Sequence, residues 1–386
     1  MTKKEKELFK SLCSFKENTF DKKLLSAATP NVLGHLFFNR MQATAYGTLK
    51  KHGLAGAVNR EFANSLKAAY ERNIEKNRDF FACVRYLGEI LSDCGDKYAM
   101  LKGAYLCRVY PEGCRTSNDI DLLVKPEDVT EIGNRLSSAG FKQGNIRNGE
   151  FKAASRREII ESKMTRGETV PYIKDVGLPA MRFLEVDINF SLDYKPGDTG
   201  LVCEMINNAV TEEFDDLRVR TLRRDDFFIH LCSHLHKEAA TLPWVEMMRD
   251  MTAYKYADIY LLLSDADREQ TERLFERARE LGIEKICAFA VIETSRLFKL
   301  DNSYAAAAAE EILKNDPEFI HTVISPKDKK KYIYTEKDIV KRFFAKNRKS
   351  LLREAGSIDE TERHKGLSVY LLRAGRLRKN DYAHAT

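Results

Sequence analysis

The stretch RTSNDIDLLVK, residues 115–125, sets two carboxylates, Asp119 and Asp121, one residue apart and follows them with an aliphatic run. In a strand, residues i and i+2 project to the same face, roughly 6.5–7 Å apart. Asp119 and Asp121 therefore point together, Ile120 and Leu122 take the opposite face, and Leu123 and Val124 continue a central strand covered on both sides. Burying a carboxylate is costly unless something positive meets it. Two on one face repel unless a cation sits between them, and hard oxygens at this spacing suit Mg2+ or Mn2+ better than zinc. The plainer alternative has Asp119 capping a turn and Asp121 pairing with Arg115 or a lysine at the surface.

Working outward, KYAMLKG (97–103) reads as a short strand running into a glycine, AYLCRVYP (104–111) as a short helix stopped by Pro111, and PEDVTEIGNRLSSAG (126–140) as a helix. Strand, helix, strand, helix is the grammar of an α/β sheet. Leu101, Lys102 and Gly103 fall where a strand gives way to a helix, a place where backbone N–H groups favour a phosphate and Lys102 adds a cation. Further on, RFLEVDINFSLD (182–193) alternates cleanly: Leu184, Val186, Ile188, Phe190 and Leu192 against Glu185, Asp187, Asn189, Ser191 and Asp193. Asp187 is the natural third acid for the first two, with Glu185 on the same face as its rival.

The flanks are helical. Residues 4–95 carry a helical stretch from Thr29-Pro30 to Gly53 and a longer one from about Arg60 to Cys94, neither with chemistry of its own. From Arg224 to about Lys314 helical patterning returns. In FFIHLCSHLHKE, His230 and His234 could share a zinc, but no second ligand pair at a recognised spacing accompanies them, and histidines lining a core or cleft are the better reading.

The chain has 386 residues, 43% hydrophobic, with a net charge of +6, enough for two or three domains. Residues 321–386 hold 17 Lys and Arg against 8 Asp and Glu, an excess of +9, so the first 320 sum to −3. KDKKK (327–331) and KRFFAKNRK (341–349) could meet RNA, an acidic protein or phosphate, and otherwise form a solvated helical face. No apolar run approaches membrane-spanning length, the first twenty residues lack the core of a signal peptide, and eight cysteines without a Cys-x-x-Cys pair read as reduced thiols. A cytoplasmic protein with no membrane contact is the expectation.

Leu101-Lys102-Gly103, then Arg115, Asp119-Ile120-Asp121 with its Leu-Leu-Val run, and later Val186-Asp187-Ile188, resemble the bacterial uncharacterised nucleotidyltransferase family of the polymerase-β-like superfamily. The resemblance covers roughly residues 95–260. It implies an α+β fold, a small mixed sheet with flanking helices, in which Asp119, Asp121 and Asp187 are catalytic and bind two divalent ions. It also implies that Lys102, Gly103, Arg115 and Asn118 hold the nucleotide, with Asn189, His234 and Lys237 toward the acceptor. Two positions depart from pattern: Lys102-Gly103 stands where the wider superfamily has Gly-Ser, and Asn189 where the nearer family often has His.

The expected organisation is an N-terminal helical region (1–95), a nucleotidyltransferase core (96–222), a helical domain (223–320) and a basic helical tail (321–386). The expected activity is Mg2+- or Mn2+-dependent transfer of NMP from an NTP to a hydroxyl-type acceptor with release of pyrophosphate. A small-molecule acceptor comes first. The alternatives are a protein or tRNA acceptor met through the basic tail, and an inactive nucleotide-binding or partner-binding module.

Overall fold

The computed structural model describes residues 1–192, 199–325 and 327–358, the side chains of residues 165, 166 and 199 excepted. Four helices come first: α1 (Lys3–Cys13), α2 (Pro30–Phe38), α3 (Gln42–Lys51) and α4 (Arg60–Ile90). The stretch expected as one helix from Thr29 to Gly53 breaks at Asn39 and Arg40. The Asn39 amide donates to the His35 carbonyl at 2.9 Å and accepts from the Ala253 N–H at 3.0 Å, and Arg40 turns the chain at φ 56°. Helix α4 starts where Asn59 accepts the Phe62 N–H at 2.8 Å, an N-cap that satisfies one of its free donors.

Eight strands form one mixed sheet: β1 (Tyr98–Met100), β2 (Asp119–Val124), β3 (Lys142–Arg147), β4 (Glu150–Ala153), β5 (Tyr172–Asp175), β6 (Phe183–Asn189), β7 (Val210–Phe214) and β8 (Leu217–Thr221). Their order is β4-β3-β5-β6-β2-β1-β8-β7. Helices α5 (Gly103–Val109), α6 (Val129–Ser138), α7 (Arg156–Arg166) and α8 (Thr199–Asn207) fill the connections. Strand β2 is parallel to β6 and antiparallel to β1. The β6 alternation stands out because its two faces meet different things. Leu184, Val186 and Ile188 join Ile120, Leu122 and Val124 in an apolar core shared with the second half of α4 and with α6, while the acids take the other face. The strand ends at Asn189, and Asp193 lies outside the described residues.

On the acid side stand α9 (Arg224–Ala239), α10 (Leu242–Glu246), α11 (Ala253–Ser264), α12 (Arg268–Glu280), α13 (Glu284–Leu297) and α14 (Ser303–Leu313). One apolar cluster unites all of them but α10 with the N-terminal helices, running from Leu8 through Leu101 and Leu123 to Phe344, so it crosses each expected domain boundary; Leu242 and Val245 of α10 pack instead with Val323 and Tyr334. The expected basic helical tail takes another form. Residues 322–357 build β9 (Thr322–Ser325), β10 (Lys330–Tyr334), α15 (Ile339–Phe343) and β11 (Leu352–Ser357), a three-stranded antiparallel sheet with a short helix. Two of its basic residues are internal: Arg342 pairs with Glu293 at 2.9 Å, and Arg348 with Asp250 at 2.7 Å. Buried carboxylates on the preceding elements demand these arginines, so part of the basic run is interior rather than solvated. Residues 359–386 lie outside the described residues.

Candidate active site

The register of the two parallel strands sets Asp119 opposite Glu185 and Asp121 opposite Asp187. Neighbouring strands lie about 4.8 Å apart, and register partners share a face. Two distant segments thus deliver four carboxylates to one patch of sheet. The consequence is electrostatic. Burial raises Asp187 well above the usual carboxylate range, and Glu185, Asp121, Asp119 and Glu168 push it further; burial and then Asp119 and Asp121 lift Glu185 to about 7. The patch carries more negative charge than its own surroundings offset.

Lys102 meets it directly. Lys102 Nζ lies 3.0 Å from Asp121 Oδ1, with Asp121 itself only 8% exposed. Burial opposes the charge on Lys102, yet Asp121 and then Asp119 outweigh it and raise its pKa. The lysine pairing weighed as the plainer alternative is therefore present, but inside the cleft rather than at the surface. Asp119 accepts from the Ser117 hydroxyl at 2.8 Å.

The Lys102-Gly103 step is built the opposite way from its composition. Gly103 opens α5 in helical conformation, whereas Lys102 takes the left-handed φ of 42°. A Cβ on Gly103 would sit 2.5 Å from Ser117 Cβ, so the close approach of the 113–118 loop requires that glycine. Lys102 is the part of the step that faces the acids.

Arg115 is engaged elsewhere. Its Nε and Nη2 donate to Asp258 on α11 at 3.1 and 3.2 Å, its Nη1 to the Thr116 carbonyl, and its guanidinium lies 5.3 Å from the centre of the Tyr254 ring. Tyr110 adds a hydroxyl to Asp258 at 2.8 Å. The guanidinium expected to grip a phosphate therefore ties the loop before β2 to the helical wall. Asn118 accepts from Lys76, and Asn189 Nδ2 comes no closer than 3.5 Å to the Leu122 carbonyl.

The wall opposite the acids comes from α9 and α11. His234 Nε2 stands 3.4 Å from Glu238, which also pairs with Lys255. Burial and then the charge of Lys102 keep His230 neutral, its pKa lowered to about 3, and hold His234 well below its ordinary value, with Lys237 contributing to both. His234 is thus in electrostatic reach of Lys102, and Lys237 in reach of His230 and His234.

Sequence reading placed α4 but missed its part in the site. Asn73 and Asn77 donate to the carbonyls of Gly113 and Arg115 at 2.9 and 2.8 Å, and Lys76 stands close enough to Asp119 for that carboxylate to support its charge against burial. These residues, with Tyr254 and Asp258, sit on helices whose periodicity announces only packing. A polar Asn-x-x-Lys-Asn step within an amphipathic helix was the one available signal.

Among the described residues, no three His, Cys, Asp or Glu side chains already form a set that could hold a metal ion. The donor chemistry nonetheless fits a divalent cation: carboxylates in register, two of them with pKa values raised by burial and by neighbouring like charge, with an ammonium on a third.

The family model for uncharacterised nucleotidyltransferases matches residues 30–299, and the chain belongs to that family. The match extends well beyond residues 95–260, taking in α2 to α4 and α13, so the helices that brace the site are part of the family's own unit. Comparison with curated proteins gave no match. The fold is α+β, a nucleotidyltransferase-type core flanked by helices. Among the described residues no helix is long and apolar enough to cross a membrane.

Proposed function

We propose that this protein transfers a nucleoside monophosphate from an NTP to a hydroxyl-bearing small molecule, releasing pyrophosphate. The observation that carries the reading is the register of β2 and β6, which gathers Asp119, Asp121, Glu185 and Asp187 on one sheet face before a wall of basic and imidazole groups. Asp119, Asp121 and Asp187 would hold divalent cations, Mg2+ or Mn2+, which supply charge stabilisation at the phosphorus and at the departing oxygen.

The rest is the work of the chain's own groups. Lys102 and Lys237 hold phosphate oxygens, and neutral His234 offers a hydrogen bond without adding charge. Arg115 acts by position: clamped to Asp258, it fixes the loop that aims Asp119. Asp187, surrounded by like charge, has high proton affinity and takes the hydrogen of the acceptor hydroxyl once incoming positive charge has ionised it.

Incubating the protein with each α-labelled NTP, Mg2+ or Mn2+ and a cell extract tests this. Label should enter a low-molecular-weight fraction, and an Asp119→Asn control should lose it. Label in protein or tRNA instead would move the acceptor to a macromolecule. Metal-dependent NTP binding with no pyrophosphate released from any of the four NTPs would mark a binding module.

A further inference from the structure

We propose that Lys102 is an internal counter-ion, whose ammonium occupies the divalent-cation position on Asp121 in the empty site and moves to the triphosphate when metal and nucleotide arrive together. This rests on the nucleotidyl-transfer reading above and adds an order of events to it.

Three observations carry the inference. The pair is short and largely desolvated: Nζ to Oδ1 is 3.0 Å, and the Lys102 and Asp121 side chains are 21% and 11% exposed. The backbone at Lys102 is strained, φ 42° and ψ −108°, a conformation that glycine adopts freely and other residues rarely do. Strain held at a position whose side chain reaches a carboxylate patch points to a need for that ammonium there. Finally, the surroundings let only the side chain move. The Leu101 N–H donates to the Asp121 carbonyl at 2.8 Å, the Leu106 N–H to the Lys102 carbonyl at 2.8 Å, and Gly103 is wedged against Ser117.

A destination exists nearby. His230, 8% exposed and within electrostatic reach of Lys102, has an Nε2 with no hydrogen-bond partner among the described residues. Phosphate oxygens arriving between Lys102 and His230 would satisfy both groups. A divalent cation arriving alone must displace an ammonium that has nowhere else to go. Arriving with a triphosphate, it leaves Lys102 a new anionic partner, so metal and nucleotide each strengthen the other's binding.

The test is Mn2+ binding, read by the paramagnetic resonance of free Mn2+, without nucleotide and then with ATP. Wild type should bind Mn2+ weakly alone and more tightly with ATP. Lys102→Gln should bind Mn2+ alone about tenfold more tightly than wild type, equivalent to ~1.4 kcal/mol, and gain little from ATP. Lys102→Gly, which also relieves the backbone, should behave alike and serves if the glutamine variant folds poorly. Equal or weaker Mn2+ binding by the Lys102 variants overturns the counter-ion role. If that occurs while wild-type binding is still lost in Asp119→Asn, the nucleotidyl-transfer reading survives. No Mn2+ binding by wild type, with or without ATP, overturns both.

Discussion

Arg115 grips Asp258 at both ends of the carboxylate, 3.1 Å from Nε to Oδ1 and 3.2 Å from Nη2 to Oδ2, and so joins the loop before β2 to helix α11. Asp258 is buried, and removing its partner leaves a charge without compensation. Arg115→Ala should therefore cost about 3–5 kcal/mol in chemical denaturation. Arg115→Met with Asp258→Leu should recover most of it. A variant of normal stability but much weakened NTP binding would return Arg115 to the phosphates.

Asp119→Asn, Asp121→Asn and Asp187→Asn should each lower turnover by on the order of 10²–10³ or more, judged against the loss of a single preorganised electrostatic contact. Because Asp119→Asn removes like charge beside Glu185 and Asp187 and leaves the Lys102–Asp121 pair in place, its melting temperature in metal-free buffer should match or exceed wild type. Glu185→Gln decides the third ligand: a loss as deep as that of Asp187→Asn would hand the role to Glu185.

The pH dependence of stability should carry the mark of His236. Burial between the rings of Phe289 and Phe319 lowers its pKa to about 3, while the unfolded chain titrates near 6.5. The unfolded state thus takes the proton first. The stability linked to neutral His236 is complete above about pH 6.5 and falls as pH drops toward 3, with a limiting slope of about 1.4 kcal/mol per pH unit. Urea denaturation at several pH values, compared with His236→Phe, should show a shallower decline in the variant between pH 6 and 4.

The C-terminal sheet should prove part of the core. Arg348→Met strands Asp250, which is fully buried and also bonded by the Tyr334 hydroxyl at 3.1 Å, and should cost about 3–5 kcal/mol. Ending the chain at 320 should yield insoluble or unfolded protein, whereas ending it after residue 358 keeps this sheet and its buried arginines whole. The earlier truncation would therefore say nothing about acceptor choice; only the later one isolates the basic residues beyond 358.

Gly103→Ala should destabilise by about 1–3 kcal/mol, because the new methyl meets Ser117 Cβ and Oγ at 2.5 and 2.7 Å. Ser117→Gly added to it should restore melting. No loss in the single variant would mean the loop yields.

The acid-bearing strands were legible because a period of two is visible in one segment, and DIDLLV and FLEVDIN both declare a buried face and a charged one. Their adjacency was only a possibility in the sequence, since pairing across a long excursion leaves no local trace. The Lys102-Gly103 step was legible as the place where a strand gives way to a helix, whereas the positive φ at Lys102 left no sign in the sequence. The buried tail arginines misled in kind, and the pairing of Arg115 with Asp258 left no trace in the sequence. A basic side chain looks the same whether it awaits a phosphate or answers a buried carboxylate, and only the partner tells. Lys76, Asn73 and Asn77 were invisible because a helix face reports burial and not what leans against it.

Between Val124 and Phe183 the chain runs out through β3 to the β4 edge of the sheet and returns through α7 and β5 before entering β6. That excursion can lengthen or shorten in its outer hairpin without moving a single acid. A deletion of one residue inside β6 is another matter: it would rotate Glu185 and Asp187 into the hydrocarbon layer and bring Val186 and Ile188 out to the cleft. Tolerance to insertion and intolerance to frame within the strand therefore belong to two parts of the same sheet.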